Sequence, residues 1–97
     1  MDIRIQSLKF DADQKLIDFI EKKLAKLPRY YDGILGVDVV LSLLPVYDNK
    51  NVKMMIKIPG DEIVVERHSV KFEDAVVDCV DVLKDILTKY KEKKIKR

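Results

Sequence analysis

The sequence predicts an α/β domain of the two-layer α+β kind, with elements in the order β-α-β-β-β-α. A four-stranded mixed sheet carries two helices packed on one face. Three observations lead to this class. Two segments repeat apolar residues at three- and four-residue steps, as an amphipathic helix does. Four shorter segments alternate apolar and polar residues or carry branched apolar runs, as strands do. Between them lie Pro28, Pro45, Asp48-Asn49 and Pro59-Gly60, which break or turn the chain.

In chain order, residues 2–10 open with Ile3 and Ile5 on one side and Arg4 and Gln6 on the other, a half-buried strand. Asp11 and Gln14 then have the spacing of a capping box, the reciprocal pair that satisfies free amides at a helix start. Leu16, Ile17, Ile20, Leu24 and Leu27 form the apolar stripe of the helix that follows. Pro28 ends it, because proline has no amide hydrogen and its ring clashes with the preceding turn.

Residues 37–44 read as the second strand, with Val37, Val39, Leu41 and Leu43 on one face. The third strand turns Val52, Met54, Ile56 and Ile58 inward and Lys53 and Lys57 outward. Pro59-Gly60 suits a hairpin, and residues 62–68 form a fourth, shorter strand. A long helix runs from about Phe72 to Lys93, with Ala75, Val76, Cys79, Val80, Leu83, Leu87 and Tyr90 near its stripe. A helix between the first two strands implies a parallel pair joined by a right-handed crossover. Hairpins make the remaining pairs antiparallel. Helices sharing one face and one direction bring their C-terminal ends to the same end of the domain.

The 97 residues, 47% hydrophobic and 37% charged, suffice for one globular domain spanning 1–97. A basic tail at 93–97 is expected to fray. No apolar run approaches the roughly 20 residues of a membrane span, and no signal-peptide block opens the chain. The expected compartment is the cytoplasm. The net charge of +2 hides an asymmetry: residues 84–97 hold seven basic side chains against two acidic ones, the remaining 83 hold 12 against 15.

The residue types needed for catalysis do not assemble in sequence. His68 is the one histidine and Cys79 the one cysteine, too few at the wrong spacing for a metal. Cys79 falls on the apolar stripe and reads as core. The three glycines are too scattered for a phosphate loop, and Asp74, Asp78, Asp81 and Asp85 repeat as a solvated acidic stripe. The reading is a binding protein without enzymatic activity, cofactor, metal or small-molecule substrate.

Two basic clusters remain. Lys22, Lys23, Lys26 and Arg29 lie at the end of the first helix, with Tyr30 and Tyr31 just beyond. Lys84, Lys89, Lys91, Lys93 and Lys94 lie on the last helix. Each cluster alone has a plain explanation, since cations favour helix C-termini by about 0.3–1 kcal/mol. Together at one end of the domain, about six to ten cations would gain affinity for phosphates by releasing condensed counterions. An α/β layer with basic helix ends suits an A-form RNA surface better than a DNA groove. Tyr30 and Tyr31 are equally suited to stack on a base or to pack under the loop. The rival reading is a protein–protein adaptor that uses the edge strand 62–68 or the acidic helix face.

Leu24-Ala25-Lys26-Leu27-Pro28-Arg29-Tyr30-Tyr31-Asp32, followed by Val37-Asp38-Val39-Val40-Leu41, resembles the first helix and second strand of the ribosome hibernation-promoting factor family, the ribosome-associated translation inhibitors. Ala75-Val76, Leu83 and Leu87-Thr88-Lys89-Tyr90-Lys91-Glu92-Lys93 resemble its last helix. The element order and length agree, and the resemblance covers nearly the whole chain. It implies a factor that binds the small ribosomal subunit in the channel between head and body. There it would contact 16S rRNA where messenger and transfer RNAs sit and hold idle ribosomes inactive in slow growth. It further implies the short form, without a dimerisation domain, and basic contacts at Lys23, Lys26, Arg29 and Lys89. The chain departs from the pattern at Val82 and Asp85, where the family carries basic residues, and at Lys71-Phe72-Glu73, where the aromatic stands one position early. Lys84, Lys91, Lys93 and Lys94 are expected to supply charge along the helix instead.

Overall fold

The computed structural model describes the backbone of residues 1–95 and the side chains of residues 1–92. Its elements are β1 (Asp2–Ser7), α1 (Gln14–Leu24), a 3₁₀ turn (Leu27–Arg29), β2 (Gly36–Leu43), β3 (Lys50–Ile58), β4 (Asp61–Ser69) and α2 (Phe72–Ile95). The strands lie in the order β1-β2-β3-β4, with β1 and β2 parallel and the other pairs antiparallel. This is the predicted order and the predicted mixed sheet.

The register explains why the strand pattern reads as it does. Ile3 faces Val37, Val37 faces Ile56, and Ile56 faces Ile63, so one row of branched side chains crosses all four strands. Ile5, Val39, Met54 and Val65 make the next row. Both rows point to the face that Leu16, Ile20 and Leu24 of α1 and Ala75, Val76, Cys79, Leu83 and Leu87 of α2 cover. At roughly 1.5–3 kcal/mol for each fully buried aliphatic side chain, this single core is the main stabilising term.

Both helices run in the same direction. Phe10, ahead of α1, stacks on Phe72, the first residue of α2, with centroids 5.2 Å apart. Tyr30, beyond α1, lies beside Lys84 of α2. The starts of the helices therefore sit together, and so does the end of α1 with the second half of α2. At 1.5 Å per residue the 24-residue α2 is about 36 Å long against about 16 Å for the 11-residue α1, so α2 continues well past its neighbour.

Four details differ from the sequence expectations. Lys9 has φ 66, a left-handed backbone that no strand continues through. Thus β1 ends at Ser7 rather than near 10, after which Leu8 N donates to Leu41 O at 2.9 Å. The α1 cap is Asp13, whose Oδ1 accepts from Leu16 N at 2.9 Å. Gln14 Nε2 donates forward to Asp18 at 2.8 Å, so Asp11 and Gln14 form no capping box. Strand β4 has nine residues, as many as β3, because the pairing runs from Asp61 at the hairpin to Ser69. Leu43 leaves the core face at the end of β2 and is 47% exposed.

On the open face of the sheet, Asn51 is the one buried polar residue among those described. Its Nδ2 donates to Glu66 Oε2 at 2.8 Å and to Ser42 Oγ at 3.2 Å, which ties β2, β3 and β4 together and satisfies the buried amide.

Candidate nucleic-acid interface

The cationic end of α1 is built by the way the helix stops. Ala25 N still reaches Glu21 O at 2.9 Å, and then the chain tightens: Arg29 N donates to Lys26 O at 3.1 Å and Tyr30 N to Leu27 O at 2.9 Å. Pro28 sits inside this 3₁₀ turn, where a missing amide hydrogen is tolerated. Leu27 is fully buried and anchors the turn, leaving Lys26 and Arg29 exposed on either side of it. Lys22 is exposed one turn earlier, and Lys23 is half-buried with its ammonium 5.4 Å from the Phe19 ring centroid.

Lys84 of α2 meets this end directly, its Nζ 5.6 Å from the Tyr30 ring centroid. Lys91 follows two turns further on the same side of the helix. Lys89 stands well round the helix from both, on the side that also carries Val82 and Asp85. The packing thus sets Lys84 beside the end of the 3₁₀ turn that carries Arg29, with Lys91 further along the same side of α2 and Lys89 on a separate flank. Among the described residues, no carboxylate forms an ion pair with these cations; Lys57 pairs with Asp38 at 3.3 Å, and His68 Nδ1 lies 3.2 Å from Asp48 Oδ2. The side chains of Lys93 and Lys94 lie outside the described residues, as do Lys96 and Arg97.

The two tyrosines take different parts. Tyr31 is buried, 4% exposed, with its ring centroid 5.9 Å from that of Tyr90 and tilted by 57°. Tyr30 is half-buried, with Lys84 against its ring. Of the pair, Tyr30 is therefore the ring that a base can reach.

Sequence reasoning did not find the contact between Tyr90 and Asp61. The Tyr90 hydroxyl donates to the Asp61 carboxylate across the gap between α2 and the β3–β4 hairpin. That hydrogen bond holds Asp61 below the usual carboxylate range and raises the Tyr90 phenol above its own. The available signal was a hydroxyl-bearing ring at the end of an apolar stripe, which seeks a polar partner when half-buried.

Other reactive groups lie elsewhere. Cys79 is fully buried, and its thiol donates to Val52 O at 3.6 Å. His68 Nδ1 lies 3.0 Å from Asp48 O at the exposed end of β4. Among the described residues, no group of histidine, cysteine and acidic side chains has the geometry of a metal site. No described helix is long and apolar enough to cross a membrane.

The fold defines a two-layer α+β domain with exposed cations at the end of α1 and along the second half of α2. Residues 3–95 match the family of the sigma 54 modulation protein / S30EA ribosomal protein, and the chain belongs to that family. It is 27% identical over 97 residues to the ribosome hibernation promoting factor of Azotobacter vinelandii, covering 100% of this chain and 89% of that one. A ribosomal subunit interface protein from Coxiella burnetii superposes with a TM-score of 0.86 at 25% identity, over 95% of this chain and 99% of that one. The N-terminal domain of Thermus thermophilus Protein Y gives 0.81 at 30% identity, over 93% and 99%.

Proposed function

We propose that this chain is a ribosome hibernation factor: a single domain over residues 1–97 that binds the small ribosomal subunit and silences idle ribosomes in the cytoplasm. Its cationic helix ends dock on 16S rRNA in the decoding channel, where the bound domain excludes messenger and transfer RNA. It works by occupancy, not by catalysis, and needs no cofactor. The names of its relatives support the ribosome as partner. The observation that carries the RNA face is the packing of Lys84 against Tyr30, which sets a cation of α2 beside the basic end of α1. Lys22, Lys23, Lys26, Arg29, Lys84, Lys89, Lys91, Lys93 and Lys94 are its proposed phosphate contacts, with Tyr30 available to stack on an unpaired base.

The test is cosedimentation with ribosomes and with separated subunits at about 50 and 200 mM salt. Binding should follow the small subunit and weaken steeply at the higher salt. Binding that ignores salt, or that follows the large subunit, rejects the phosphate face. Retention by a protein partner alone would favour the adaptor reading, in which the β4 edge and its exposed Val64 make the contact.

A further inference from the structure

Between the two cationic helix ends runs a line of contacts that carries no positive charge. It starts at Gly33, in the loop that leads from the 3₁₀ turn into β2. A Cβ built on Gly33 would stand 2.8 Å from Cε2, Cζ and the hydroxyl oxygen of Tyr31, so the ring lies directly against the glycine backbone. Tyr90 is another neighbour of that ring. The Tyr90 hydroxyl reaches Asp61, the first residue of β4 after the Pro59-Gly60 turn, where Gly60 adopts φ 77. Asp61 is itself oriented, since its Oδ1 accepts from Glu62 N at 2.7 Å.

This line occupies a particular place along α2. Leu87 is the last fully buried residue of the helix among those described, and Tyr90 is the last half-buried one. Lys91 and the turn beyond it follow immediately. Whatever fixes Tyr90 therefore fixes the direction in which the basic end of α2 leaves the domain. On its other side, the same ring pair fixes the segment just after Arg29.

We infer that the Gly33–Tyr31–Tyr90–Asp61 line positions the cationic end of α2 against that of α1, so that both ends meet one phosphate surface in a set geometry. The consequence for binding rests on the proposed ribosome function; the positioning itself does not. Asp61 makes the idea testable because its two effects have opposite signs. As a negative charge it repels phosphate, so charge alone predicts that removing it tightens RNA binding. As the acceptor for Tyr90 it preorganises the face, so positioning predicts that losing the acceptor weakens binding.

The experiment compares Tyr90→Phe, Asp61→Ala and Asp61→Asn in two readouts. One is affinity for ribosomes in cosedimentation at fixed salt. The other, read on separately labelled protein, is the distance distribution between spin labels on Glu21→Cys in α1 and Glu92→Cys in α2, both exposed and neither among the proposed phosphate contacts; buried Cys79 stays unlabelled. Tyr90→Phe and Asp61→Ala should broaden the distribution and weaken ribosome binding about three- to tenfold, the range expected for one hydrogen bond. Asp61→Asn still offers an oxygen to the tyrosine, so it should keep the narrow distribution and bind at least as well as the parent. If Tyr90→Phe and Asp61→Ala leave the distribution narrow, or if Asp61→Ala tightens binding as Asp61→Asn does, the positioning role is overturned. A parent protein that fails to cosediment while the distribution still responds rejects the ribosome reading and leaves the positioning standing. Should Asp61→Ala fail to fold, Tyr90→Phe alone decides, because it keeps the ring contact with Tyr31.

Discussion

The ammonium of Lys84 lies 5.6 Å from the centroid of the Tyr30 ring, so the middle of α2 touches the first residue after the 3₁₀ turn. An exposed cation–π contact of this kind contributes about 0.5–1 kcal/mol and holds the charge in place without neutralising it. On the proposed face, Lys84 would meet a phosphate with part of its side-chain freedom already lost. Lys84→Glu should weaken ribosome binding more than Lys84→Ala, and each should lower the slope of log affinity against log salt by about one unit. Titrations across a salt series measure this directly. An unchanged slope in both variants would place Lys84 outside the contact.

Lys89 offers a separate test because it stands round the helix from Lys84. Charge reversal at Lys23, Lys26 and Lys89 together should release the protein from ribosomes while circular dichroism and the melting temperature stay near the parent values. All three side chains lie at or near the surface, where substitutions usually change stability by no more than about 0.5 kcal/mol. The single reversals then map the face. Loss of binding with Lys89→Glu but not with Lys84→Glu would assign the contact to the flank that carries Val82 and Asp85. The opposite result would assign it to the Lys84–Lys91 side.

The start of α1 distinguishes two acids only two positions apart. Asp13 Oδ1 accepts from Leu16 N at 2.9 Å and caps the helix, whereas no capping bond is made by Asp11. Asp13→Ala should cost about 1 kcal/mol of stability in urea unfolding, and Asp11→Ala should cost close to nothing. Equal losses in the two variants would mean that the helix begins earlier in solution.

Much of the fold was legible because its periodicities are local. Val52, Met54, Ile56 and Ile58 alternate, and Leu16, Ile20 and Leu24 step by helical turns, so their burial follows from a few neighbouring residues. Charge was legible in the same way, since both basic clusters are contiguous in sequence. What sequence could not supply was contact across distance: Tyr90 and Asp61 are 29 positions apart, and nothing near either residue announces the other. Tyr30 and Tyr31 illustrate the same limit. They are adjacent and chemically identical, yet one is buried against Tyr90 and the other lies under Lys84, a division made by tertiary packing alone. The cap at Asp13 was missed for a smaller reason. Asp11 and Asp13 are both competent caps by residue type, and only the backbone geometry shows that Asp13 accepts from Leu16 N.

Cys79 yields the prediction with a defined pH window. It is fully buried on the core side of α2, and burial, which disfavours the thiolate, raises its pKa from 9.0 to about 11; the positive charge of Arg67 opposes this only in part. Native protein at pH 8 should therefore react with thiol reagents far more slowly than the unfolded chain, at a rate set by opening of the fold. The same shift has a stability consequence. Below pH 9.0 the thiol is protonated in folded and unfolded chains alike, and its contribution is fully present; as pH rises toward about 11 the unfolded chain loses the proton first, and stability falls. Cys79→Ala should cost about 1–2 kcal/mol at neutral pH through the space it opens. Its unfolding free energy should then decline less steeply than the parent's across this alkaline window. Tyrosines and lysines titrate equally in both proteins, so the difference between the two curves isolates the thiol. Parallel curves, or rapid labelling of the folded protein, would show that Cys79 is not the buried thiol described.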